Sequence, residues 1–195
     1  MHAGAQLPSR RWGVECRAQG GRCLGRNAAG HHRAIGVAGE AGLVGALAAL
    51  RPPTAANLCG RPSLWTLAAL VERADLVVCN DTGISHLVAA LKRPSVVVSS
   101  GGDAARWAPR DHRLHRVLAG AAPWRPCRHA ACPVGPPGEH PCASATTPQA
   151  GLAEASALLS LQQRDAALTV STAPAVPIAV AHESESPALT TTNGT

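Results

Sequence analysis

Residues 74–91, ADLVVCNDTGISHLVAAL, constrain the fold more than any other stretch of the chain. A short apolar run, Leu76-Val77-Val78-Cys79, breaks at Asn80-Asp81, and Ile84, Leu87, Val88 and Leu91 then repeat with the 3.6-residue period of a helix. The pattern predicts a strand, a tight turn and a helix. Asp81 stands where a helix N-cap belongs, which leaves the backbone N–H groups of Thr82, Gly83 and Ile84 free to face an anion. Gly83 lets a ligand approach the backbone closely, and His86, four residues after Thr82, falls on the same helix face. A carboxylate, a hydroxyl, bare N–H groups and an imidazole are thereby gathered at a strand's carboxyl end, where open α/β sheets bind ligands. An ordinary capped turn with His86 on the surface fits the same short motif, so the stretch alone leaves both readings open.

The length of 195 residues allows one ordinary domain with a real core. That core lacks Phe and Tyr altogether and has only 4 Trp and 1 Met, so it must be built from Leu, Val and Ala, which bury less area per side chain than aromatics. The net charge of +6 comes from arginines spread along the chain, the single lysine being Lys92. This favours an anionic ligand or surface over a nucleic-acid groove, which would need interleaved aromatic platforms. The sequence has no run of 18 apolar residues and no basic segment leading into an apolar one at its start, so neither a transmembrane segment nor a secretory signal is expected and the location expected is cytoplasmic. Seven cysteines, an odd number, argue against a disulfide framework.

In chain order, the first dozen residues, MHAGAQLPSRRW, show no strand pattern but form a small-residue loop with the hydroxyl of Ser9 and the guanidiniums of Arg10 and Arg11, groups suited to phosphate. Such a basic segment is equally often just solvated. Residues 13–33 are irregular, with no period of 2 or 3.6, and their Cys16, Cys23, His31 and His32 match no familiar zinc spacing. A short strand at 34–37 leads to a helix at 40–50, with Leu43, Val44, Leu47 and Leu50 on one face and Pro52-Pro53 closing it. Glu40 opens that helix, either as a carboxylate for ribose hydroxyls or as a macrodipole partner in the first turn. Asn57-Leu58-Cys59 is a brief strand, Ser63 caps a helix to Arg73, and Ser95-Val96-Val97-Val98-Ser99 reads as a strand buried in a parallel sheet. The alternation is that of a doubly wound α/β domain.

A second small-residue loop, residues 99–103, follows that strand and is expected to face the Asp81 turn across one crevice. Residues 113–118 read as an edge strand. Cys127, His129, Cys132, His140 and Cys142 crowd a proline-rich segment, but without a matched pair of C-x2-C units, so no metal is expected there. Thr147 caps a last helix at 148–164, and residues 165–195, rich in Thr, Ser, Ala and Pro, are expected to be a disordered tail.

The blocks HAGAQLPSRRW, VAGE, NLCGRPSLWTLAALVERADLVVCNDTGISHLVAAL, PSVVVSSGGDAARWAP and PCRHAACP, in this order, resemble the C-terminal half of glycosyltransferase family nine, the ADP-heptose:lipopolysaccharide heptosyltransferases and their relatives. The resemblance covers about residues 1–160, interrupted over 13–33. It implies one half of a two-domain GT-B enzyme, a Rossmann-like lobe over residues 1–164 that binds a nucleotide-sugar donor. By position, Ser9 and Arg11 would hold the diphosphate, although the family often has lysine where Arg11 stands. Glu40 would contact the ribose, Asp81, Thr82 and Gly83 the phosphates and the sugar, and His86 would lie beside them. The implied donor is an ADP-sugar, ADP-heptose foremost, and the implied acceptor is the lipopolysaccharide core, reached from the cytoplasmic face of the inner membrane. No cofactor, metal or nucleic acid is implied.

Two departures bear on function. The acceptor lobe, which in the family supplies the catalytic base, has no counterpart in these residues, so a non-catalytic nucleotide-binding fragment is the alternative reading. And Trp124 stands where the family's C-x-x-C pattern puts a cysteine, leaving Cys127 without that partner.

Overall fold

The computed structural model describes residues 1–7, 10–13, 31–49, 55–136 and 140–172, with side chains as far as residue 166. Within them strands and helices alternate: β1 (Arg33–Ala34), a 3-10 turn (Ala38–Glu40) running into α1 (Ala41–Ala49), β2 (Ala56–Asn57), α2 (Leu64–Glu72), β3 (Val77–Asn80), α3 (Gly83–Ala90), β4 (Ser95–Val98), α4 (Ala104–Trp107), β5 (His115–Leu118), α5 (Pro141–Ser144) and α6 (Pro148–Thr172). Hydroxyl caps start two of the helices as the sequence predicts. Ser63 Oγ accepts from Thr66 N at 3.2 Å, and Thr147 Oγ1 accepts from Ala150 N at 3.2 Å. Among the described residues no helix is long and apolar enough to cross a membrane.

Two expectations are corrected here. α6 does not stop at residue 164 but runs to Thr172, into the stretch read as tail. Ala166, Ala167 and Leu168 are strong helix formers and the next proline is Pro174, so nothing at 164 breaks the helix. Residues 173–195, Ser9 and most of 13–33 lie outside the described residues. The second correction concerns the start, where residues 1–3 were read as having no strand character. They occupy a strand slot: Ile35 N donates to Met1 O at 2.8 Å, Ala3 N donates to Ile35 O at 3.3 Å, and His2 N donates to Val78 O at 3.0 Å. The run is too short to show a period in sequence.

With that segment in place the order across the sheet is β2, β1, residues 1–3, β3, β4, β5. β1 and β2 are parallel, residues 1–3 bridge Ile35 in parallel, and β3, β4 and β5 are parallel, with Val78 opposite Val96 and Val96 opposite Arg116. Because the chain leaves the middle of the sheet in one direction for β1 and β2, then returns to build β3 to β5 in the other, residues 1–3 and β3 flank the topological switch point of a doubly wound fold.

Alternate side chains of β3 and β4 feed two layers. Val77, Cys79 and Val97 pack with Val71 of α2 and with Ile84 and Val88 of α3, while Val78, Val96 and Val98 pack with Trp12 and with Ala155 and Leu158 of α6. Every residue of both strands is buried, the apolar Val77-Val78-Cys79 and Val96-Val97-Val98 together with the polar Asn80 and Ser95. A smaller cluster of Ala3, Ala34, Val44 and Leu47 seats α1.

Asn80, fully buried at the end of β3, ties the two halves of the sheet together. Its Nδ2 donates to Ala3 O at 3.1 Å and to Gly4 O at 2.8 Å, and its Oδ1 accepts from Trp12 N at 3.0 Å. Trp12, 2% exposed, extends the tie to the carboxyl-terminal helix: its Nε1 donates to Thr146 O at 2.9 Å, and a Cβ at Gly151 would come within 2.6 Å of its ring.

Asn80→Ala would strand two buried carbonyls and one N–H, and is expected to destabilise the fold by about 2–4 kcal/mol in urea denaturation. Asn80→Asp should do little better, because a carboxylate cannot donate to Ala3 O and Gly4 O; a loss under about 0.5 kcal/mol for either variant would contradict the role given to this amide. A second expectation concerns pH. His115 is buried with Nδ1 2.9 Å from Ser95 Oγ, and burial pushes its pKa below the ordinary 6.5, Asp111 opposing and His112 reinforcing the shift. The unfolded chain therefore binds the proton more readily, so this residue's contribution to stability is complete above pH 6.5 and is lost as pH falls below it. His115→Gln should narrow the difference in urea midpoint between about pH 7.5 and about pH 5.5.

Candidate functional site

The parallel sheet sends the loops after all its strands to one end, and the sequence-predicted residues that the structure describes lie there. They form two groups on either side of the switch point.

The first group surrounds Gly4 and Ala5. Arg11 Nε donates to Ala5 O at 2.9 Å, which leaves the terminal nitrogens of its guanidinium for a ligand. Glu40 lies on the other side, against glycines: a Cβ on Gly4 would fall 1.5 Å from Glu40 Oε1, and one on Gly36 would fall 2.9 Å from Oε2. Only bare backbone leaves room for the carboxylate there. Oε2 accepts from Val37 N at 3.0 Å and stands 3.9 Å from His2 Nε2. Glu40 thus accepts from the N-cap N–H of its own 3-10 turn, at the sheet's carboxyl end.

The second group is the turn between β3 and α3. Asp81 is not the helix cap: Thr82 takes the N-cap position, with extended backbone (φ −151°, ψ −178°) and no capping bond from its side chain. Asp81 turns instead toward the loop after β4, where Oδ2 accepts from Ser99 Oγ at 3.1 Å and a Cβ on Gly102 would come within 2.5 Å of the same oxygen. The small residues at 99–103 were read as facing this turn, and these contacts close that crevice. Asp81 was misassigned because a capping aspartate and one bonded to a neighbouring loop look alike in sequence.

Thr82 Oγ1 is buried with no hydrogen-bond partner among the described residues. The N–H groups of the exposed Gly83 and of Ile84, the first two of α3, have no partner within the helix, whereas Ser85 N already donates to Thr82 O at 2.9 Å. An orphaned hydroxyl beside open N–H groups is an arrangement that an anion with further polar atoms would satisfy. His86 is exposed and meets Trp107 of α4 edge-on, ring centroids 6.1 Å apart at 65°.

Arg125 and Trp107 were missed in sequence. Arg125 donates through Nη1 to Gly120 O at 2.8 Å and through Nη2 to Gly102 O at 3.1 Å and to Ser99 O, so it braces the loop that holds Asp81. No local spacing marks an arginine that acts 26 residues away.

Among the described residues no three His, Cys, Asp or Glu side chains are placed to hold a metal. Cys127 and Cys142 are buried, and burial, with Cys127 and Cys132 nearby, pushes the Cys142 thiol above its ordinary pKa. An open groove of about 320 Å³ lies at the opposite, amino end of β4 and β5, between Pro94, Leu114 and Leu158, on the side where α/β sheets do not carry their sites.

Comparison with known proteins matches the family model described as glycosyltransferase family 9 (heptosyltransferase) to residues 33–137. Among solved structures, ADP-heptose LPS heptosyltransferase II of E. coli is similar at 25% identity and a TM-score of 0.68, over 83% of this chain and 46% of that one. A family 9 glycosyl transferase from Veillonella parvula DSM 2008 is similar at 19% identity and TM-score 0.69, over 81% and 44% of the two chains. E. coli heptosyltransferase WaaC with ADP is similar at 23% identity and TM-score 0.56, over 61% and 36%. The chain spans less than half the length of each of these proteins. No curated protein matches it. Since the matched segment holds more than half of its residues, the chain belongs to glycosyltransferase family 9, the heptosyltransferase family, and carries part of that family's GT-B fold.

Proposed function

We propose that this chain is a donor-binding lobe that holds an ADP-sugar, ADP-heptose being the first candidate, for transfer to a lipopolysaccharide core. The observation that carries the reading is the β3–α3 turn. It presents open helix N–H groups, the orphaned Thr82 hydroxyl and the braced Asp81 carboxylate together at the switch point of the sheet. The similarity to E. coli heptosyltransferase WaaC with ADP supports the choice of nucleotide.

In this reading Arg11 and the N-terminus of α3 take the diphosphate, Glu40 the ribose, and Asp81 the sugar. Ser9 would join Arg11. Transfer is a displacement at the anomeric carbon in which the nucleoside diphosphate departs. Arg11 and the helix N-terminus offset the charge that builds on it, through donors already fixed before the reaction. The acceptor hydroxyl needs a base within hydrogen-bond reach, and the carboxylates at this end are taken up by ribose and sugar. Positioning of acceptor against donor can supply roughly 7–11 kcal/mol of the barrier and belongs to a second lobe.

Calorimetry on folded protein tests the reading: ADP and ADP-heptose should both bind, and Asp81→Ala should weaken the sugar nucleotide. Absence of heat with either ligand refutes it. A polypeptide of these 195 residues should show no transfer to heptose-deficient lipopolysaccharide; turnover by the purified chain that Asp81→Ala abolishes would show that it is a complete enzyme.

A further inference from the structure

We infer that Trp107 is the platform on which the sugar of the nucleotide-sugar donor stacks, and hence a specificity-determining residue; the inference rests on the donor-site reading above. Trp107 ends α4, a short helix that begins directly after the loop bonded to Asp81. Its indole is fixed by two contacts, the ring of His86 and the Arg106 guanidinium, whose carbon lies 4.9 Å from the ring centroid. It still remains 46% exposed. In a chain without Phe or Tyr, this indole, held in place yet left open, is an extended apolar surface beside the turn.

The order of the strands says which part of the ligand reaches it. Glu40 follows β1, the Gly4–Ala5 loop with Arg11 follows residues 1–3, the Asp81 turn follows β3, and Trp107 follows β4. These are consecutive positions across the sheet, about 4.8 Å apart. A ligand whose ribose lies at Glu40 and whose diphosphate lies at Arg11 and the α3 N-terminus therefore brings its next unit, the sugar, to the edge of β4. There Asp81 offers an acceptor for a sugar hydroxyl, and the indole offers a flat apolar face for the ring's C–H groups. His86, one turn into α3, lies on the same helix face as Thr82, and its ring meets the indole edge-on.

The test compares two ligands on the same protein. Trp107→Ala should weaken ADP-heptose by about tenfold, ~1.4 kcal/mol, while leaving ADP within about twofold of wild type. Trp107→Phe should recover most of the loss, since it keeps an aromatic face. Equal weakening of both ligands would mean that the indole only braces α3, and no change in either would mean that the sugar does not reach it; each overturns the inference, while ADP binding by the wild-type protein still supports the site. Wild-type protein that binds neither ligand overturns the donor-site reading and this inference with it.

Discussion

The structure depends on one buried amide. The sheet is built outward in two directions from its middle, and at the seam the carboxyl ends of residues 1–3 and β3 lie side by side with few apolar groups to join them. Asn80 fills the seam with two donated hydrogen bonds and one accepted. A hydrophobic residue of that size would take a hydrogen bond from each of three backbone groups, and a carboxylate would place two acceptors against two carbonyls. The polar residue that interrupts the apolar run of β3 is therefore a structural requirement. Its neighbour, Asp81, is freed to point the other way, so that adjacent residues serve the fold and the site.

Trp12 carries the same constraint into the core. Its backbone N–H ends on Asn80 and its indole N–H on Thr146, while the ring lies against Gly151 of α6 and among Val78, Val96 and Val98. Among the described residues the core is otherwise made mainly of small aliphatic side chains, which bury little area each, so the single large ring packed between β3, β4 and α6 has an outsized share in holding α6 to the sheet. Displacing α6 would loosen the position of Arg11, one residue before Trp12.

Elements with a strong local code were legible in the sequence. The buried run of β4, the Ser63 and Thr147 caps and the strand-turn-helix at 74–91 each depend on residues a few positions apart, and each appears where its pattern puts it. The central segment at 1–3 was not legible, because a strand slot of three residues has too little chain to show alternation and is defined by its neighbours, Ile35 and Val78. Among the site residues, the position of Asp81, Thr82 and Gly83 in a strand-to-helix turn could be read, but the N-cap, which is Thr82, and the bond of Asp81 to Ser99 could not. The small-residue loop at 99–103 was legible as its neighbour, but the bond from Ser99 Oγ to Asp81, and Arg125 bracing that loop through Ser99 O and Gly102 O, are tertiary contacts for which a single sequence has no signal.

The donor reading also accounts for the puzzle of carboxylates at an anion site. Glu40 and Asp81 can only accept hydrogen bonds once ionised, whereas the Arg11 guanidinium and the N–H groups at the start of α3 can only donate. Across the sheet the sequence of functions is thus acceptor at β1, donor at residues 1–3, and donor then acceptor in the turn after β3. A ligand that matches must present hydroxyls, then phosphate, then hydroxyls, which is the order of ribose, diphosphate and sugar. A polyanion with phosphate at regular intervals would meet Glu40 and Asp81 as like charges. On that reading the net positive charge of the chain raises the local concentration of anions, and the two carboxylates would decide which anion stays.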